Sequence, residues 1–334
     1  MNRSASPVLF GFNFQVNCAI VLMLDNIKSL KTVKLEGNNE DIEIALEDDS
    51  YILAQAKGIV KASDDFSNVL SKLKGALESL SEAYNKAIKI KQLIYITNSP
   101  NPLKDEHSKP IFSRYSRRKY SDLPSESQKI INKYLKRITN PLDPSKLTIQ
   151  RLPFETDDPK EKYYDVWTSI SYFLGELDIY IDGLNVKLHD IWQNAVFDNG
   201  TKSNTLIKIS KKEILWPLIV FLVKQSPINE DNIIFSGLDE CEFQELNAKY
   251  NRIIDSKSEK FEFVTKVISD YEQMKIKGHK SIRDFVDLNW HQYEDDLSSD
   301  SIDPSIRISL FKVIVSNILS SRLRINKVKI SCNL

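Results

Sequence analysis

The sequence predicts an α/β protein: a mixed sheet with flanking helices over residues 1–155, then a mainly α-helical part over 156–334. Three observations carry this reading. Between Thr32 and Lys57, short stretches alternate apolar and polar residues with the period of two that a half-buried strand shows. Before and after them, apolar residues recur at helical spacing, over Val8–Leu24 and from Phe66 towards Ala87. Beyond Gly200 the apolar runs are almost all of helical period. A chain of 334 residues, 41% hydrophobic and 28% charged, has the length of about two domains and enough apolar content for a proper core.

The elements follow in order. Val8–Leu24 is a buried first helix, and Thr32–Glu36, Asp41–Leu46 and Tyr51–Lys57 are strands, the last two joined by a hairpin turn at Glu47-Asp48-Asp49-Ser50. Ser63, Asp64 and Asp65 supply a cap and acidic first turn for a helix whose stripe is Phe66, Val69, Leu70, Leu73, Leu77 and Leu80. Gln92–Thr97 is an apolar strand stopped by Asn98-Ser99-Pro100-Asn101-Pro102. Pro100–Lys119 reads as loop, Glu126–Lys136 as helix and Leu147–Leu152 as strand. Helices are then expected at Lys160–Leu177, Val186–Val196, Lys211–Val223, Glu240–Ile254, Phe261–Lys275 and Ile306–Ser320. The basic tail of Arg322, Arg324, Lys327 and Lys329 faces an acidic region at Asp284–Asp303, which points to an internal or subunit contact.

Composition removes several function classes. The nine glycines are never closer than eight positions apart, so a Walker loop, a G-x-G-x-x-G turn and a G-x-S-x-G elbow are all absent. Cys18, Cys241 and Cys332 form no C-x-x-C pair, and the four histidines include no H-E-x-x-H. Sparse cysteine fits a reducing cytoplasm. The longest clean apolar run, Ile214–Val223, is half of a bilayer span, and Gln15 and Asn17 interrupt the first helix, so no membrane anchor is expected. Lysine plus arginine (46) equals aspartate plus glutamate (46), so nucleic acid would have to be held by a local basic groove and not by bulk charge.

The informative window is Glu36–Lys57. Alternation places Asp41 and Glu43 on one face of their strand and Gln55 and Lys57 on one face of the next. Paired as a hairpin, these strands bring Asp41, Gln55 and Lys57 together. Carboxylate and amide oxygens suit Mg2+ or Mn2+, which polarises a phosphoryl oxygen and deprotonates water, while a lysine steadies hydroxide or developing charge. Seven carboxylates between Glu36 and Asp49 would also make an ordinary solvated hairpin. Outside this window, Arg114, Arg117, Arg118 and Lys119, interleaved with Tyr115 and Tyr120, form a basic run able to track a DNA backbone or to stand as a solvated loop.

Taken in order, Gly11-Phe12-Asn13-Phe14-Gln15, Glu36, Asp41-Ile42-Glu43-Ile44, Gln55-Ala56-Lys57 and Ile96-Thr97-Asn98 resemble the PD-(D/E)XK nuclease superfamily. They are most similar to the double-strand DNA endonuclease domain of bacterial antiphage effectors of the CBASS type. The resemblance covers about the first hundred residues and extends more loosely over about fifty more. It implies Asp41 as main metal ligand, Gln55 as second ligand through its amide oxygen and Lys57 as catalytic lysine, with Glu36 or Gln15 completing or orienting the shell and Glu43 on the same face. Glutamine in place of the superfamily's usual acid at 55 makes a weaker ligand for a hard cation.

In CBASS effectors the nuclease is fused to a Rossmann-like ligand-binding domain, whose strand–helix alternation and glycine turns residues 156–334 lack. The layout looks more like the nuclease subunit of Lamassu systems, which is held by an SMC-like ATPase and accessory subunits. That resemblance implies a magnesium-dependent endonuclease silent in the resting complex and active when released or oligomerised, with the C-terminal part regulatory, oligomerising or partner-binding. A degenerate nuclease fold kept as scaffold or DNA-binding adaptor is the competing reading.

Overall fold

The computed structural model describes residues 6–62, 66–86, 89–225, 239–255, 260–278, 281–297 and 302–334. It divides into two compact units, Met1–Lys211 and Lys212–Leu334. The first unit is mixed α/β, built as α1 (Ser6–Asp25), β1 (Leu30–Leu35), β2 (Ile42–Leu46), β3 (Tyr51–Lys57), α2 (Val69–Lys86), β4 (Ile90–Thr97), β5 (Ser116–Lys119), α3 (Ser125–Leu135), β6 (Leu147–Arg151), α4 (Pro159–Lys162), α5 (Tyr164–Glu176), α6 (Leu184–Gly200) and β7 (Ile209–Ser210). The seven strands form one sheet in the order β5-β6-β4-β3-β2-β1-β7. β1, β2 and β3 make an antiparallel meander, whereas β3, β4 and β6 run parallel, and β5 and β7 close the edges antiparallel.

Helices cover both faces, and the strands between them are correspondingly apolar. α2 packs on β3 and β4 and carries α3 beside it, with Leu73, Leu77, Leu80, Leu93, Tyr95, Ile131 and Ile149 in one buried cluster. The cap expected at Ser63–Asp65 lies outside the described residues. On the opposite face α1 lies against the sheet, flanked by α5 and α6. It is 20 residues long, and an 18-residue stretch within it has a mean hydropathy of 1.7, enough by length and composition for a bilayer span. Here Phe14 and Val16–Leu24 are buried in the core of the unit.

Two expectations need correction. Pro100–Lys119 is not all loop: Ser116–Lys119 pairs with β6 as an edge strand. The division of the chain lies at 211/212 and not near 155, because α5 and α6 belong to the α1 face of the sheet. A buried polar chain ties them there. Trp167 Nε1 donates to His189 Nδ1 at 3.1 Å, so the other ring nitrogen carries the proton and donates to Asn17 Oδ1 at 2.7 Å. Asn17 in turn donates to Asn13, whose amide reaches the Tyr163 hydroxyl.

The second unit is helical: α7 (Lys211–Lys224) begins at the boundary, and α8 (Glu240–Asp255), α9 (Lys260–Ile276), α10 (Ile282–Asn289), the short α11 (Glu294–Leu297) and α12 (Pro304–Cys332) follow. α12 is the spine against which α8, α9 and α10 pack. Tyr250 on α8 donates to the Val223 carbonyl and accepts from Asn317, and Ser321 donates to the Leu222 carbonyl, joining α7, α8 and α12. The basic tail is the end of α12. Arg322 pairs with Glu272 at 3.6 Å, while acidic Asp287 and Glu294 pair with Lys312 and Arg307 earlier on the same helix.

Burial drives the His189 imidazole down to about 4, because a second ring proton would face the Trp167 N–H across the network and the nearby Asp190 carboxylate is mostly exposed. The unfolded chain takes up that proton at its ordinary value near 6.5, so stability falls as pH drops through the window between them. Against His189→Gln, urea unfolding should show the wild type's advantage shrinking by about 2 kcal/mol between pH 7 and pH 5. A constant advantage over that range would contradict a neutral, buried imidazole.

Candidate active site

The C-terminal ends of β1, β3 and β4 and the start of β2 meet at one end of the sheet. Ile42 pairs with Ala54 and Glu43 with Leu53, so Asp41, one residue before β2, arrives opposite Gln55. Gln55 Nε2 donates to Asp41 Oδ2, the Ala56 backbone N–H donates to the same oxygen at 3.1 Å, and Lys57 Nζ stands 3.5 Å from it. Gln55 is buried, whereas the Asp41 and Lys57 side chains are 15% and 31% exposed, which leaves the site open to a ligand from one side. The three residues expected to converge do so.

Glu36 closes the turn between β1 and β2. Its N–H donates to the Asp41 carbonyl at 2.7 Å, and its φ of 51° is left-handed, a conformation that costs a non-glycine residue on the order of 1 kcal/mol. Its carboxyl is held above the ordinary value by desolvation and by the Asp41 charge, against the hydrogen bond from Gln15 and the attraction of Lys57. Gln15 on α1 thus reaches the site through Glu36. Glu43 departs from its expected place: its Oε1 accepts the Asn39 N–H at 2.5 Å, filling the space beside Gly37, where a Cβ would lie 2.3 Å from the Glu43 carboxyl carbon. It holds the turn and not the shell around Asp41.

Glu40 was not singled out by the sequence. It is buried, its Oε1 has no hydrogen-bond partner among the described residues, and its other oxygen lies 3.4 Å from the Asp41 N–H. Desolvation pushes its carboxyl up to about 8, with the Asp41 charge adding to the effect and Ser79 opposing it, so it is protonated at neutral pH. It stood in the run of acids, and only its burial distinguishes it.

The Thr97-Asn98 motif has a structural explanation. Asn98 is buried; its Oδ1 accepts from the Ile59 N–H, and its Nδ2 donates to the Ile59 and Phe154 carbonyls, each at 2.8 Å. This clamp fixes the chain just after Lys57. Gly58 completes the fit, since a Cβ there would come within 3.1 Å of Phe10 and 3.2 Å of Phe14 on α1. Arg151 holds the Asn98 carbonyl at 3.3 Å and the Phe112 carbonyl at 2.9 Å from behind.

The basic run divides. Arg117 turns inward to Asp25 at 3.1 Å and Gln92 at 3.0 Å, which commits it to the fold, while Arg114, Arg118 and Lys119 are exposed.

Among the described residues no three His, Cys, Asp or Glu side chains gather to hold a metal by themselves. A donor set that includes the Gln55 amide still fits a hard divalent cation. The described hydrogen bonds to the Asp41 side chain all converge on Oδ2, leaving Oδ1, and a flip of the Gln55 amide exchanges Nε2 for an oxygen ligand. Comparison with known proteins returns no match to a family model, to a curated protein or to a solved structure.

Removing the Asn98 clamp leaves three buried backbone groups unpaired beside the site. Asn98→Ala should lower the unfolding free energy by about 3 kcal/mol in urea titrations. A loss under about 0.5 kcal/mol, the range of ordinary surface changes, would contradict the clamp.

Proposed function

We propose that the first unit is a PD-(D/E)XK-type nuclease that cuts double-stranded DNA with Mg2+ or Mn2+. The observation that carries this is the meeting of Asp41, Gln55 and Lys57 across β2 and β3, in the order and on the elements the resemblance requires. Asp41 and Gln55 would hold the cation, with Glu36 as the further carboxylate and Gln15 orienting it. When bound, such a cation supplies Lewis-acid polarisation of the phosphoryl oxygen and a water acidified enough to attack near neutral pH. Lys57 places an ammonium beside the Asp41 carboxylate, where it stabilises the negative charge that develops on the phosphoryl oxygens. The Glu36 carboxyl is raised first by desolvation and then by the Asp41 charge, and a cation would relieve the second of these.

In the same reading the protein is the cytoplasmic effector of a bacterial antiphage system of the Lamassu type. Partner subunits, an SMC-like ATPase among them, keep it silent until release or oligomerisation assembles two sites across a duplex. The helical second unit is the part available for those contacts. Zero net charge supports this arrangement, since a lone chain has little bulk attraction for DNA.

One observation favours the second reading, a degenerate scaffold or DNA-binding adaptor. Gln55 and Lys57 both direct donors at Asp41 Oδ2, which neutralises that oxygen without any metal. Cleavage separates the two. With Mg2+ or Mn2+ and protein concentrated enough to oligomerise, linear duplex should be cut, and Lys57→Ala should slow the reaction by about 10²–10³-fold. Equal cutting by the variant would contradict the catalytic assignment, and RNA offered together with duplex DNA should be left intact.

A further inference from the structure

α3 presents a cationic ridge at the end of the sheet away from Lys57. Lys129, Lys133 and Lys136 fall at helical spacing on one exposed face, Arg137 follows, and Asn132 sits between them. The facing wall is Pro141, Leu142 and Pro144, and the groove between has a volume of about 650 Å³. The acids nearby are already engaged: Glu126 holds Lys129 at 2.6 Å, and Asp143 accepts from Ser145. Lys133, Lys136 and Arg137 remain as a cluster of like charges within one turn. The C-terminal dipole of α3 favours cations in its last turn, but like charges at this spacing repel each other by a few tenths of a kcal/mol per pair. The dipole also does not reach Arg118 and Lys119, which belong to a strand.

Of these, Arg118 joins the groove to the site. Lys57, Thr97, Arg151 and Ser116 form one row across β3, β4, β6 and β5. From that row β5 runs away from the site, past Arg118, which pairs with Ile149 and so shares the α3 face of the sheet. At its end Tyr120 accepts from Asn132 of the groove at 2.7 Å. The path from Lys57 across to β5 turns a corner to run down that strand and along α3, so its straight-line span is on the order of 25 Å, longer than a nucleotide and matching many phosphates of B-DNA.

We propose that Arg118, Lys133, Lys136 and Arg137 form a phosphodiester-binding track that seats a DNA duplex. The choice of duplex over a free nucleotide rests on the nuclease reading and on the length of the track. The cations read no sequence; they position the backbone.

The test measures anisotropy of a labelled duplex of about 30 base pairs against the full chain, without divalent metal, from about 50 to 200 mM salt. The variant Lys133→Ala/Lys136→Ala/Arg137→Ala is compared with Lys160→Ala/Lys187→Ala/Lys202→Ala, which removes the same charge from exposed positions in and beyond α4 and α6. Thermal melts confirm that both fold. The groove variant should bind at least about tenfold more weakly, with the salt slope smaller by about 2–3, and the control variant should bind as the wild type does. Equal losses in both variants, an unchanged groove variant, or no salt-dependent binding by the wild type would overturn the proposal. So would ATP binding that depends on the groove while duplex binding does not. The nuclease reading fails separately: cutting that survives Lys57→Ala leaves the track standing, and cutting that requires Lys57 leaves the track to be judged by anisotropy alone.

Discussion

Antiparallel pairing of Ile42 with Ala54, together with parallel pairing of Lys57 with Thr97, fixes Asp41, Gln55 and Lys57 relative to one another. A slip of one residue between β2 and β3 would send Gln55 and Lys57 to the opposite face, away from Asp41. The apolar residues enforce the register, because Ile42, Ile44, Ile52 and Ala54 are buried. A slipped strand would also carry them off their face. The polar constellation is therefore specified by hydrophobic burial, and its own hydrogen bonds refine it.

Support for that register comes from both sides of the sheet. Asn98 and Arg151 hold the chain beyond Lys57 from the parallel strands, and Gly58 lets the same segment meet Phe10 and Phe14 of α1. α1 is held in turn by α5 and α6 through the buried chain of Asn13, Asn17, His189 and Trp167. Such a network is costly if broken, since Asn17 and His189 at its centre are buried and would be left with unpaired polar groups. It also explains why these two helices belong to the sheet unit.

Much of this was legible in the sequence where local chemistry decides the outcome. Alternation gave Tyr51–Lys57 its full extent, and helical spacing gave α1, α2 and α3 to within a few residues. Asp41, Gln55 and Lys57 were found because strand pairing follows from a short hairpin. What escaped depends on distant contacts. β5 is four polar residues with no apolar alternation, and it becomes a strand only because β6 offers an edge. The division at 211/212 turns on His189 meeting Asn17 across 172 positions. Burial of Glu40, and the turn of Glu43 towards Asn39, are properties of the folded loop that no spacing reveals.

If Asp41 and Gln55 hold a divalent cation, calorimetric titration of Mn2+ into the wild type, Asp41→Asn and Gln55→Glu will show it. Replacing the amide by a carboxylate gives the cation a charged oxygen and removes the need for a flip, so Gln55→Glu should bind Mn2+ more tightly than the wild type. Asp41→Asn should abolish binding. Absence of Asp41-dependent binding in both the wild type and Gln55→Glu would mean that these residues hold no cation.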